Sequence, residues 1–211
     1  TPTYPPAATN SGGSVSRTVT VGVGGTPQPL RINEFLTSNV AGLTDEDGDP
    51  SDWIEIHNPN AWSVNLGGLA LTDDARVSDK WIFPTQTIAP SGYLVVFASA
   101  KDRATAGLQL HTNFSLASAG EYLALMDRSG SAIQEFTPSY AAQTDDVSTD
   151  GTAYFGAPTP GAANLPGPYL SAPVHTAQPD GTFAISVRAV DASAVTLKYR
   201  GMYAAEQTVS M

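Results

Sequence analysis

No apolar run in this chain goes far before it meets a turn. Asn58-Pro59-Asn60, Gly67-Gly68, Ala89-Pro90-Ser91-Gly92 and Arg128-Ser129-Gly130 cut the middle of the sequence into short pieces. Pieces of roughly five to eight residues suit strands and are too short for stable helices. Apolar side chains recur inside them at every second position. Ile54 and Ile56 take one face of their segment while Trp53 and Glu55 take the other. The pattern predicts strands over 30–36, 52–57, 64–71, 80–83, 93–99, 108–114, 121–127, 132–136 and 153–155. Short strands at this spacing predict a two-sheet sandwich. Tyr93-Leu94-Val95-Val96-Phe97 is apolar on both faces and is expected to be the most buried strand. Ser99 followed by Asp102 reads as a capping-box start for one or two helical turns.

Composition agrees. Only 14% of residues are charged and 41% are apolar, while Gly and Pro contribute 19 and 16 residues. That mixture favours tight turns over charged helix surfaces. With no cysteine, disulfides, thiolate metal sites and a Cys nucleophile are excluded. No apolar run is long enough to span a membrane. The net charge of −10 is concentrated. Residues 26–165 hold 17 acids and six bases, a net −11, whereas the rest of the chain is at +1. Such a surface repels a phosphate backbone, which argues against nucleic acid as a partner.

The ends read differently from the centre. Residues 1–29 are expected to be a linker plus the last strand of an upstream domain, with Val19, Val21 and Val23 on one face of a strand over 15–23. Residues 30–165 are the expected sandwich. Residues 166–211 are expected to begin another module as a hairpin, Phe183, Ile185 and Val187 pairing across Asp191-Ala192-Ser193 with Val195, Leu197 and Tyr199. Unpaired apolar strands seek partners. The two ends are therefore expected to associate, within one chain or as a dimer of copies. The first residues lack a basic start and an apolar stretch and do not read as a signal peptide, so if the protein is exported its signal is expected upstream of them.

The central motifs resemble the lamin tail domain family in its bacterial extracellular form. The matching pieces are Arg31-Ile32-Asn33-Glu34-Phe35, Asp52-Trp53-Ile54-Glu55-Ile56-His57-Asn58-Pro59, and Leu66-Gly67-Gly68-Leu69-Ala70-Leu71-Thr72-Asp73-Asp74. Lys80-Trp81-Ile82-Phe83-Pro84, 88–99, Asn113-Phe114-Ser115-Leu116 and 120–125 follow, and Pro158-Thr159-Pro160-Gly161-Ala162-Ala163-Asn164 reads as the stop. The resemblance implies an all-β, immunoglobulin-like β-sandwich without catalytic residues, carried in a large exported protein, with partial immunoglobulin-like strands at the termini. It implies a secreted or cell-surface location and a non-catalytic interaction or structural role, with a protein or a cell-surface glycan as partner. The alternative is an accessory domain of an extracellular hydrolase or nuclease. No catalytic residue, cofactor or membrane insertion is expected.

One constellation carries possible chemistry. In Asp45-Glu46-Asp47-Gly48-Asp49-Pro50-Ser51-Asp52, alternate carboxylates and a turn glycine suit a hard cation such as calcium. Asp45, Asp47 and Asp49 are the candidate ligands, with Asp52 closing the site. An EF-hand loop is not met, because Gly48 stands fourth and Ile56 twelfth. The competing reading is a solvated acidic turn. Asp73, Asp74 and Asp79 form a second acidic loop with a capping role. His57, His111 and His175 lack ligand spacing. Trp53 and Trp81 are expected to pack, each indole N–H finding a carbonyl, which leaves Trp62 as the better exposed aromatic for a sugar.

Overall fold

The computed structural model describes residues 7–10, 13–16, 26–165, 169–170, 174–180, 183–187, 189–190, 196–199 and 207–210, and none of them is helical. Twelve strands lie within 26–165. They are β1 (Arg31–Leu36), β2 (Trp53–His57), β3 (Val64–Asn65), β4 (Ala70–Thr72), β5 (Trp81–Ile82), β6 (Thr87–Ile88), β7 (Tyr93–Phe97), β8 (Leu110–His111), β9 (Leu123–Met126), β10 (Ala132–Phe136), β11 (Ser148–Thr149) and β12 (Tyr154–Phe155). A six-stranded sheet runs β8-β7-β2-β1-β11-β12, and a four-stranded sheet runs β10-β9-β4-β5. Every neighbouring pair is antiparallel except β8 and β7. β3 and β6 form a separate short ribbon.

Period-2 burial explains the sandwich. Phe35, Ile54, Ile56 and Val96 of the large sheet pack against Leu71, Trp81, Leu123 and Leu125 of the small one, all nearly solvent-free. A one-residue slip in any of these strands would turn its apolar set outward. Phe35 anchors the centre, its ring 5.0 Å from Phe136 and 5.1 Å from Tyr140. A bulge at Asn33 breaks the β1–β2 ladder, and the freed Ile32 N–H donates instead to Gln134 Oε1 of the facing sheet at 2.8 Å.

Several expectations need correction. The 64–71 segment is two strands, because Gly68 at φ +82° bends the chain and the Leu69 N–H closes onto the Leu66 carbonyl at 2.8 Å. No helical turn follows Ser99. Ala100 and Asp102 have φ +59° and +52°, and the Ser99 hydroxyl lies 2.8 Å from His111 Nδ1. The most buried long strand is β2, wholly buried on both faces, while Tyr93, Leu94 and Val95 of β7 are only half-buried. The indole N–H groups of Trp53 and Trp81 are buried, as expected for the rings, yet find no hydrogen-bond partner.

Outside the sandwich, Ala7–Asn10 pairs with Gly13–Ser16, and most of the strand expected over 15–23 lies outside the described residues. The expected C-terminal hairpin is paired otherwise. Phe183–Ser186 pairs with Val174–Ala177, and Thr196–Tyr199 pairs with Gln207–Ser210. Tyr169–Leu170 pairs with Ala189–Val190. Among the described residues every terminal strand pairs within its own end of the chain.

Candidate functional site

The outer face of the large sheet is unusual, because alternation places three chemically distinct rows across β1, β2 and β7. Leu36, Trp53 and Phe97 lie opposite one another in register, as do Glu34, Glu55 and Val95, and then Arg31, His57 and Tyr93. The first row is apolar, the second carries two carboxylates, and the third is basic and aromatic.

Residues 156–164 cross all three rows as a strap. Pro158 and Pro160 meet Leu36 and Trp53 in a groove of about 250 Å³. Thr159 donates its N–H to Glu34 at 3.0 Å and its hydroxyl at 2.7 Å, and Ser148 donates a third bond to the same carboxylate. The Gly161 N–H donates to Glu55. The Asn33 amide donates to Glu55 at 2.8 Å and to Asn164 Oδ1 at 2.6 Å, and Asn164 returns a bond to the Asn33 carbonyl. At the far end, Ala163 and Asn164 wall a second groove of about 380 Å³ beside Arg31 and Tyr93. The expected stop motif is thus an integral cover, and it is why β2 is buried on both faces.

Glu34 and Glu55 are both 0% exposed. Burial pushes the Glu55 carboxyl up to about 7, against the opposing pull of Gly161 and Asn33, and the charge of Glu34 raises it further. Neutral donors satisfy the Glu55 oxygens without supplying a positive charge, so its protonation stays accessible near neutrality. In the third row, Arg31 Nε donates to His57 Nδ1 at 3.2 Å, and the His57 ring stacks on Tyr93 at 4.5 Å. Burial, then the Arg31 charge, holds His57 below its ordinary value and keeps the imidazole neutral.

The acidic turn is built on opposite principles. Asp45, Asp47 and Asp49 bring their carboxylates together around Gly48 at φ +85°. The cation they meet is the chain's own. Lys101 Nζ lies 2.6 Å from Asp45 Oδ2 and 2.8 Å from both Asp47 Oδ2 and Asp49 Oδ2. Arg103 pairs with Glu46 at 2.5 Å and with Asp47 at 2.7 Å, and His111 Nε2 lies 2.9 Å from Glu46. Burial raises the Asp45 carboxyl, but Lys101, the N–H groups of Asp49 and Asp47, and the Ser51 hydroxyl outweigh it and hold it at about 2. Arg103 and then Lys101 lower Asp47, and His111 is the main influence lowering Glu46. Asp45, then Asp47 and Asp49, hold the Lys101 ammonium in turn and raise its pKa.

Asp52 is not brought into this group. Its carboxylate accepts the Asn39 N–H at 3.2 Å, and burial pushes it up to about 6. In the second acidic loop, Asp74 accepts two bonds from the Arg76 guanidinium at 2.9 and 2.7 Å, and Lys80 pairs with Asp73 at 2.5 Å. Trp62 is half-buried. Sequence reasoning missed Glu34, Glu55, Lys101, Arg103 and His111. A signal for Glu55 was available, since it stands on the same alternating face as the core-sized Trp53.

A family model, Lamin Tail Domain, matches residues 25–139. It ends before β11, β12 and the strap. No curated protein and no solved structure matches the chain. The matched segment spans more than half of the sequence and contains both sheets' central strands, so the chain belongs to the lamin tail domain family.

Proposed function

We propose that this chain is a binding and spacer module of an exported multidomain bacterial protein, displayed outside the cell and facing a protein or glycan partner. The lamin tail domain is an immunoglobulin-like domain that generally serves as a structural or interaction module. The observation that carries the reading is the state of the outer face. The two carboxylates that sit side by side there are sealed beneath residues 159–161 and satisfied by neutral donors. Acid–base work needs a group within reach of a substrate proton. These groups reach only the chain itself, while among the described residues a groove lies at either end of the strap. The net −11 of residues 26–165 opposes nucleic acid as the partner.

A second reading, an accessory domain of an extracellular hydrolase or nuclease, is favoured by the strands paired on both sides of the sandwich. Extra β modules suit a chain of linked domains. The open reading frame that encodes the chain separates the two readings. For the first, the 211-residue chain is screened on glycan and protein arrays alongside polysaccharide, phosphodiester and peptide hydrolysis assays. Selective binding without turnover is expected. Turnover that survives purification to homogeneity would overturn it.

A further inference from the structure

The 26–165 region contains six basic side chains. Arg76, Lys80, Lys101 and Arg103 each pair with a carboxylate, and Arg128 donates to the carbonyls of Gly67 and Asn65. Arg31 differs. In a region with eleven excess negative charges it bonds a neutral imidazole through Nε, and its two terminal nitrogens meet no partner among the described residues. The stack of His57 on Tyr93 fixes that imidazole. The guanidinium is therefore held at one edge while its other edge is left open.

Arg31 lines the groove of about 380 Å³, a volume within the range of small-ligand clefts. The rest of the lining is mostly polar, with Ile32 and Ala163 as its apolar part. Asn33 and Asn164 spend most of their amide groups on the clasp and leave the Asn33 Oδ1 and one Asn164 N–H, Tyr93 has a hydroxyl without a partner among the described residues, and Thr152 and Asp150 complete the lining. Asp150 Oδ1 is taken by the N–H groups of Thr152 and Ala153 and by the Thr152 hydroxyl. The remaining Asp150 oxygen is a good acceptor for sugar hydroxyls. A planar guanidinium with two parallel N–H donors fits one carboxylate.

We propose that this groove binds a saccharide unit bearing a carboxylate, with the acid group on Arg31 and ring hydroxyls on the amides and Asp150. The proposal rests on reading the chain as a binding module and names its ligand class. The test is titration of the full chain with digalacturonate, followed by calorimetry and by NMR of the Arg31 Nε–H signal. Neutral lactose and inorganic sulfate serve as the other arms. Digalacturonate is expected to bind at least about tenfold more tightly than lactose, and Arg31→Gln to remove that preference without changing the melting temperature. Equal affinity for lactose, stronger binding of sulfate, no binding of digalacturonate, or a preference that survives Arg31→Gln would each overturn the site. The module reading would outlive that failure if arrays still showed a selective partner.

Discussion

Glu55 and Asp45 are both carboxylates closed off from solvent, at 0% and 5% exposure, and the chain treats them in opposite ways. Asp45 faces an ammonium and is held at about 2, whereas Glu55 faces an amide N–H and a side-chain amide and is pushed up to about 7. The difference lies in depth and in the partner's charge, Glu55 sitting deeper in the fold among neutral donors and Asp45 near the surface beside a cation. Both carboxylates receive hydrogen bonds from neutral donors, but only Asp45 also has a cation to offset the lost hydration of its charge. The acidic turn is consequently a charge-locked joint between 45–49 and 101–111. The outer face is a neutral clasp between β1, β2 and the 156–164 strap.

The contrast is most severely tested at Glu34. Glu34→Ala would leave the Thr159 N–H, the Thr159 hydroxyl and the Ser148 hydroxyl without their acceptor. A loss of about 3 kcal/mol or more in urea unfolding is expected, since each buried unsatisfied donor costs about 1–3 kcal/mol. A loss below about 1 kcal/mol would mean that the clasp is not closed in solution.

The pH profile separates the two regions by sign. Glu55 and Asp52 have folded values above their unfolded ones, so the folded state binds more protons and stability falls as pH rises from about 4 to 7. Asp45, Asp47 and Glu46 are depressed. Their contribution is present above the ordinary carboxylate range and is lost as pH falls towards about 2. A stability maximum between these windows is expected. Glu55→Gln should flatten the upper slope alone, adding on the order of 2–3 kcal/mol at pH 8 relative to wild type. An unchanged upper slope would assign it to other groups.

Lys101→Met should lower the melting temperature by several degrees, because Asp45 then keeps a buried charge without its cation. Calcium extends this test. The wild-type melting temperature is expected to be the same in calcium and in chelator, with Lys101 keeping its place among Asp45, Asp47 and Asp49. A calcium-dependent rise is expected only in Lys101→Met, through binding linkage. A rise in the wild type would show that the ion displaces the lysine. The smallest effect is expected at the exposed Asp74–Arg76 pair, where Arg76→Ala should leave the melting temperature unmoved.

The sandwich was legible because alternation is local. Ile54, Ile56, Leu123 and Leu125 announce their inward face within five-residue windows, and Gly67-Gly68 and Ser129-Gly130 announce the breaks. The site was less legible because its partners are distant in sequence. Lys101 lies 56 residues from Asp45, and Thr159 lies 125 from Glu34. Pro158-Thr159-Pro160-Gly161 looks like a terminator because its residues favour turns, and nothing local reveals that its N–H groups end on buried glutamates. Thr87–Ile88 and Ser148–Thr149, two residues each, are too short to show a period.

The most direct test of the clasp is native-state amide exchange at Thr159 and Gly161 in the full chain. Protection approaching that of the β2 core amides is expected, because both N–H groups end on solvent-free carboxylates. Exchange at the rate of an open loop would show that the strap does not cover the outer face, and would contradict the account of the site.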